Sequence, residues 1–291
     1  MAIGKGKETT EAQVFSKYIG VASCFVLAVN PDKKKLEELY QTTLDKDPEY
    51  IIKKEGEQDS VRISFVVKTD EDKYPAMTTQ VTFYLRNEGR FNKDKTKLQV
   101  IDKYGRTCWV GIEDAKNHVI PMYSNGPANI DADYRPCYSG EENLTNFIKT
   151  WLNLPNVMSY IDGKWVPNPD VAPEDCECRL DCIKDYFKGN FKELADIVNI
   201  LPNNKVKILF GVKNTADNKQ YQTCFIDRFL KPFVTNYDKL EEDVKSRKDA
   251  SAYPDTEFRV IELEEYKLEP SKLNEKGEIK TEDSDDDLPW K

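Results

Sequence analysis

The sequence predicts a mainly β fold with an α insertion, an α+β arrangement in which a small antiparallel β-barrel is interrupted by a helical subdomain. Three observations predict it. Apolar and polar residues alternate through the first 112 residues, helical spacing dominates about 113–203, and alternation returns from Lys205. The late strands are too few to close a sheet by themselves, so an interrupted barrel fits better than two consecutive domains. The chain therefore divides into a flexible arm at 1–13, a β unit at 14–112 and 204–265, a helical insertion at 113–203 and a disordered acidic tail at 266–291.

Each element follows from local pattern. Lys17–Val29 is rich in β-branched and aromatic residues and reads as a long strand, with Gly20 marking a bulge or bend. Pro31 and Asp32 open an amphipathic helix that sets Leu36, Leu39, Tyr40 and Leu44 at helical spacing. Val61–Lys68 places Val61, Ile63, Phe65 and Val67 on one face, and Thr79–Arg86 does the same with Val81, Phe83 and Leu85. Leu98–Ile101 and Arg106–Ile112 form a hairpin whose turn uses Gly105. Glu141–Leu152 collects Leu144, Phe147, Ile148, Trp151 and Leu152 on one helical face. Asn153–Pro173 reads as loop, Pro173–Lys188 as a helix, and Phe191–Asn199 as another, stopped by Pro202. Lys205–Lys213 and Gln220–Asp227 form a second hairpin, and Glu257–Leu263 a last strand.

Composition narrows the function. Hydrophobic residues make up 39% of the 291, with 13 Phe, 15 Tyr and 4 Trp, which is enough to bury a core. The longest apolar run, Ile19–Val29, is too short for a bilayer, which takes about 20 residues, so no membrane partner is expected. An odd count of 7 cysteines and a start without an apolar leader point to reduced thiols and a cytoplasmic location. A single histidine, His118, excludes any mechanism that needs two.

The net charge of −9 is unevenly spread. Glu262–Lys291 holds 11 acids and 5 bases, whereas Arg86–Arg106 holds 7 bases and 3 acids. A basic stripe on the body with an acidic tail is more informative than the total. Alternation puts Tyr84 and Arg86 on the non-core face of their strand, and Trp109 opposite Cys108 and Val110. Aromatics interleaved with cations suit single-stranded nucleic acid, because bases stack on rings while cations follow the phosphates. The expected groove comprises Tyr84, Arg86, Arg90, Phe91, Lys93, Lys95, Lys97, Lys103, Tyr104, Arg106 and Trp109. Lys205, Lys207 and Lys213 form a weaker second bank.

The terminus carries the most specific signal. Asp285, Asp286 and Asp287 precede a compact apolar tip, Leu288-Pro289-Trp290, before Lys291. An aromatic anchor behind carboxylates is a docking device: the ring enters a pocket and the acids meet a basic rim. The segment is similar to the Asp-Asp-Asp-Ile-Pro-Phe tip of bacterial single-stranded-DNA-binding proteins, with Leu and Trp replacing Ile and Phe. The broader layout resembles phage-encoded single-stranded-DNA-binding proteins of replication and recombination. That resemblance implies an OB-like antiparallel β-barrel and sequence-independent coating of single-stranded DNA without catalysis. It also implies a tail that recruits a polymerase, helicase or primase, and leaves room for a homo-oligomer or cooperative filament on DNA. The tethered tail is expected to compete with DNA for the basic groove.

Other chemistry is weaker. Cys176, Cys178 and Cys182 lie close together, but they lack a C-x₂-C pair and a nearby histidine. On a helix from Pro173, Cys178 and Cys182 share a face while Cys176 joins Leu180, Ile183 and Phe187. Buried apolar thiols are the better reading, and neither metal nor cofactor is expected. Asp131 and Asp133 read as turn-capping residues rather than cation ligands. Gly4-Lys5-Gly6-Lys7 lacks the context of a phosphate loop, and no nucleophile elbow is present. The rival function is a structural or cargo protein of a virion or other assembly, which would form a stoichiometric protein complex and ignore nucleic acid.

Overall fold

The computed structural model describes residues 16–52, 60–102, 107–113, 134–153, 158–161, 164–187, 198–199, 201, 203–215, 220–249, 253 and 255–267. Strand β1 (Tyr18–Val29) leads to helix α1 (Lys33–Tyr40), then β2 (Ile51–Ile52), β3 (Ser60–Thr69) and β4 (Thr78–Gly89). Next come β5 (Lys97–Asp102), β6 (Thr107–Gly111), β7 (Tyr134–Pro136), β8 (Tyr138–Ser139) and helix α2 (Glu141–Trp151). A hairpin of β9 (Met158–Ile161) and β10 (Lys164–Pro167) precedes α3 (Pro173–Phe187). The chain ends with β11 (Lys205–Asn214), β12 (Gln220–Cys224), α4 (Asp238–Asp249), β13 (Thr256–Phe258) and β14 (Glu264–Glu265). Among the described residues, no helix is long and apolar enough to cross a membrane.

The principal sheet runs β12-β11-β1-β3-β4-β8, with every pairing between named strands antiparallel. Alternation explains its inner face. Ala22, Cys24 and Val26 of β1, Ile63, Phe65 and Val67 of β3, Val81, Phe83 and Leu85 of β4, and Val206, Ile208 and Phe210 of β11 all join one core. Helix α2 adds Leu144, Phe147, Ile148 and Trp151 to it. Phe147 is the hub, with ring centroids 4.6 Å from Phe65, 5.5 Å from Phe83 and 4.9 Å from Phe229.

The sheet corrects the barrel expectation: it is open rather than closed. Among the described residues no ladder joins β12 to β4. Instead Phe229, just beyond β12, meets Phe83 of β4 at 6.0 Å, and both pack on Phe147. Aromatic packing stands where closing hydrogen bonds would run. Asn143 of α2 reinforces it by donating to Asp227 at 3.1 Å.

The second face of β1 and β11 is not left to solvent. Val21 and Leu209 pack beneath Phe225, Leu240 and Val244, with Tyr253 and Phe258 beside them. Helix α4 had no sequence expectation, because Leu240 and Val244 alone make its apolar stripe. The returning chain also crosses this region through two glycine notches. Gly20 has φ +119, and a Cβ on it would lie 2.8 Å from the Glu262 carbonyl oxygen. A Cβ on Gly211 would lie 2.5 Å from the Glu257 oxygen, so β13 takes up pairing with β11 where β1 leaves it. The chain is then tied down at Tyr266, whose N–H donates to the Lys17 carbonyl at 2.7 Å and whose ring packs with Ile19 and Val212.

Other differences are local. Helix α1 is capped by Asp32, which accepts from the Lys35 N–H at 2.8 Å, and Gln41 ends it in the left-handed region at φ 52. Leu44 therefore falls outside the helix. The β9–β10 hairpin occupies what alternation left as loop. The expected strand at Glu257–Leu263 is confined to β13, and of the helix expected at Phe191–Asn199 only 198–199 lie within the described residues. Strands β5, β6 and β7 form a separate sheet in the order β6-β5-β7.

Candidate nucleic-acid interface

The outer face of β3 and β4 carries the clearest site. In their register Arg62 sits opposite Tyr84 and Ser60 opposite Arg86. Because Phe83 and Leu85 point into the core, Tyr84 and Arg86 must point away from it. Tyr84 is 57% exposed, which decides between the two faces a one-residue slip would exchange. The Arg62 guanidinium lies over the ring, 5.4 Å from its centroid. Farther along the same face, Val66 and Ser64 are buried, and the Tyr40 hydroxyl of α1 shares a hydrogen bond with Gln80. Burial, more than any neighbour, pushes Tyr40 up to about 12. The β1–β3 connection thus covers the middle of this face and leaves the Arg62–Tyr84–Arg86 end open.

Trp109 makes a second exposed ring, 42% accessible, on β6 opposite Gln99. As alternation predicts, Val110 turns the other way and joins Leu98 and Val100. Arg90 lies 5.8 Å from the Trp109 centroid, donates to Gln99 at 3.0 Å and forms an ion pair with Glu142. Its charge is therefore engaged at the start of α2. Phe91 is half-buried, and its ring packs against Leu98 and Val100 in a small apolar cluster.

The loop between β4 and β5 is a tight turn. The Asn92 side chain accepts from the N–H groups of Thr96 and Lys97, both at 2.8 Å, and Lys95 takes φ 53. Lys93, Lys95 and Lys97 are exposed around it. Lys103, Tyr104 and Arg106 lie outside the described residues, as do His118, Asp131, Asp133 and the tip Asp285, Asp286, Asp287, Leu288, Pro289 and Trp290.

The three lysines of the second basic bank are not equally placed. Lys207 faces away from the core of Ile208 and Phe210, as alternation says, but that side is covered. It is 6% exposed, and its ammonium donates to the Val234 carbonyl and the Tyr237 hydroxyl, each at 2.7 Å. Burial lowers its pKa, partly offset by Glu262. Lys205 pairs with the nearly buried Asp70 at 2.8 Å and lies 4.6 Å from the Phe25 centroid. Only Lys213 of the three is an exposed side chain, across the hairpin from Tyr221, which is itself 51% exposed.

Sequence reasoning missed Arg62 and Tyr221. Alternation places each on the polar side of its strand, and only the cross-strand register sets Arg62 against Tyr84 and Tyr221 against Lys213. The cysteines follow the apolar reading where they are described. Cys24, Cys182 and Cys224 sit in the main core, and burial holds Cys224 up at about 12. Cys178 is half-buried, and the side chains of Cys176, Leu180, Ile183 and Phe187 are outside the described set. Among the described residues, no group of three or more His, Cys, Asp or Glu is placed to hold a metal ion. Beside α4, a cleft lined by Asp227, Arg228, Asp243 and Arg247 has its charges paired internally, Arg228 with Asp243 and Arg247 with Asp227.

No protein-family model, curated protein or solved structure matches this chain.

Proposed function

We propose that the chain binds single-stranded DNA without reading its sequence, in phage DNA replication, recombination and repair, while its acidic tip recruits replication proteins. The observation that carries this reading is the exposed Tyr84 ring with Arg62 over it and Arg86 on the same face. A base stacked on such a ring gains about 1–3 kcal/mol whatever its identity, and adjacent cations follow the phosphates. Trp109, Lys93, Lys95 and Lys97 supply further ring and charge.

The OB-like part of the proposal rests on strand order. Three strands, β1, β3 and β4, then a helix, then the hairpin β11–β12, arranged as β12-β11-β1-β3-β4, are compatible with a five-stranded barrel opened at one seam. OB barrels are partly open and bind oligonucleotides through their second and third strands with the neighbouring loops. In this chain those strands are β3 and β4, which carry the Arg62–Tyr84–Arg86 face.

Titration of a labelled oligothymidylate at two salt concentrations tests the reading. Binding should quench tryptophan fluorescence and weaken steeply with salt. Removing Ser284–Lys291 should leave DNA binding intact or tighter and abolish capture of a polymerase, helicase or primase. Failure to retard single-stranded DNA at low salt, together with a stoichiometric protein complex, would instead favour a structural or cargo role in a virion or assembly.

A further inference from the structure

We infer that Arg62 binds a backbone phosphate next to the base stacked on Tyr84, which makes the Arg62–Tyr84 pair a single nucleotide-holding unit. This inference rests on the single-stranded DNA reading above and names the group within that site that meets the phosphodiester.

The backbone at Arg62 is clamped from both sides. Its N–H donates to the Tyr50 carbonyl at 2.7 Å, and its own carbonyl accepts from the Asn30 side chain at 3.1 Å. Asn30 also accepts from the Ser64 N–H at 2.7 Å through its side chain and donates its own N–H to the Ser64 carbonyl at 2.8 Å. Arg62 therefore springs from a fixed stretch of strand rather than from a mobile loop, which is how a binding group keeps its aim.

Its head group is then placed differently from those of five other arginines. Arg90, Arg179, Arg228 and Arg259 each bond to a carboxylate, of Glu142, Asp175, Asp243 and Glu257 respectively, and Arg247 pairs with Asp227. Arg62 has no carboxylate partner among the described residues, and its buried Nε makes no hydrogen bond. A guanidinium is a planar cation with five donors in a rigid fork. Stacking on Tyr84 occupies its plane, and the terminal nitrogens, which unlike Nε are not among the buried unpartnered atoms, are the donors left for an anion. Carboxylates fill the donor edge in these five arginines, and among the described residues none does so for Arg62. A phosphodiester fits the same fork, and its adjoining base can lie on the exposed part of the Tyr84 ring.

A purely structural role, in which Arg62 only props the ring, predicts a different salt response, and the full-length chain separates the two. A fluorescein-labelled oligothymidylate of about 16 nucleotides is titrated across a salt series with the natural chain, Arg62→Gln, Arg62→Lys and Tyr84→Ala. Loss of one phosphate contact should make the log–log salt slope shallower by about 0.7 in Arg62→Gln. Arg62→Lys should keep the slope, and Tyr84→Ala should lose affinity at unchanged slope. Weaker binding by Arg62→Gln with an unaltered slope would overturn the inference while leaving the single-stranded DNA reading intact. No binding by the natural chain at low salt would remove that reading itself.

A second measurement does not depend on the folding of Arg62→Gln. In the ¹⁵N-labelled natural chain, the arginine Nε–H resonance that disappears in Arg62→Lys should move when the oligothymidylate is added. It should move distinctly less with the uncharged methylphosphonate analogue, which can stack on Tyr84 but offers no anion. Equal shifts with both oligomers would also overturn the inference.

Discussion

The ammonium of Lys207 lies 2.7 Å from the hydroxyl of Tyr237, beneath a segment that covers the outer face of β11. The same nitrogen donates to the Val234 carbonyl, so one buried cation fixes the chain between β12 and α4. Removing it leaves a carbonyl and a hydroxyl without their donor in a covered site. Lys207→Ala should therefore cost about 2–4 kcal/mol in urea unfolding. The folded fraction should keep the natural salt slope for DNA, because a buried ammonium neutralises no phosphate.

Tyr84→Ala tests the open end of the β3–β4 face. Loss of one stacking ring should weaken oligothymidylate binding by about 1–3 kcal/mol, roughly 5- to 150-fold. Because Tyr84 is 57% exposed, its removal should change the midpoint of thermal unfolding little. Unaltered affinity in a stably folded variant would place the DNA path elsewhere.

Phe147→Ala addresses what holds the open sheet together. The ring lies between β3, β4 and the segment beyond β12, and its loss leaves a cavity in their shared core. A cost of about 3–5 kcal/mol is expected by denaturant unfolding. A cost below about 1 kcal/mol would show that the seam does not depend on this ring.

Gly20→Ala combines strain with collision. The residue has φ +119, and the added methyl would meet the Glu262 carbonyl oxygen at 2.8 Å. Destabilisation of about 1–3 kcal/mol is expected from the backbone conformation alone. Hydrogen exchange should locate the damage at 257–266, which crosses above this glycine, sooner than in β3 or β4.

Alkaline pH should unfold the protein over a defined window. Burial raises Tyr40, Tyr50 and Tyr266 from near 10 to about 12, and Cys224 from near 9 to about 12. A group whose folded pKa is raised contributes stability that is complete below its unfolded value and disappears as pH climbs through the folded one. Stability should therefore begin to fall near pH 9 and be lost steeply between about pH 10 and 12. Lys207, whose pKa is lowered, acts in the opposite sense and offsets part of the loss just below 10.5. Circular dichroism against tyrosinate absorbance measures both processes together.

Period-2 alternation made the long strands legible. β1, β3, β4 and β11 lie within three residues of their expected limits because each buries one face in the core. Helix α2 was equally clear, since Leu144, Phe147, Ile148 and Trp151 satisfy helical spacing and all are buried. Closure was not legible, because alternation says which way a side chain points and nothing of whether β12 finds β4. The cover over Lys207 was not legible for a related reason: its direction was right, but the segment between β12 and α4 that bonds it carries no repeating pattern to announce it. Tyr84 and Trp109 were found because an exposed ring on a polar face breaks the pattern. Arg62 breaks no pattern and becomes visible only when the β3–β4 register sets it against Tyr84.

The bond from the Tyr266 N–H to the Lys17 carbonyl brings the two outer ends of the strand set, just before β1 and just after β14, to one point. A peptide joining those ends would need to bridge only a short gap. New ends could then be opened in the connection between Asn214 and Gln220, the residues that close the β11–β12 pairing. A circularly permuted protein of this kind keeps all of its strand neighbours, so its topology depends on which strands adjoin rather than on where synthesis begins.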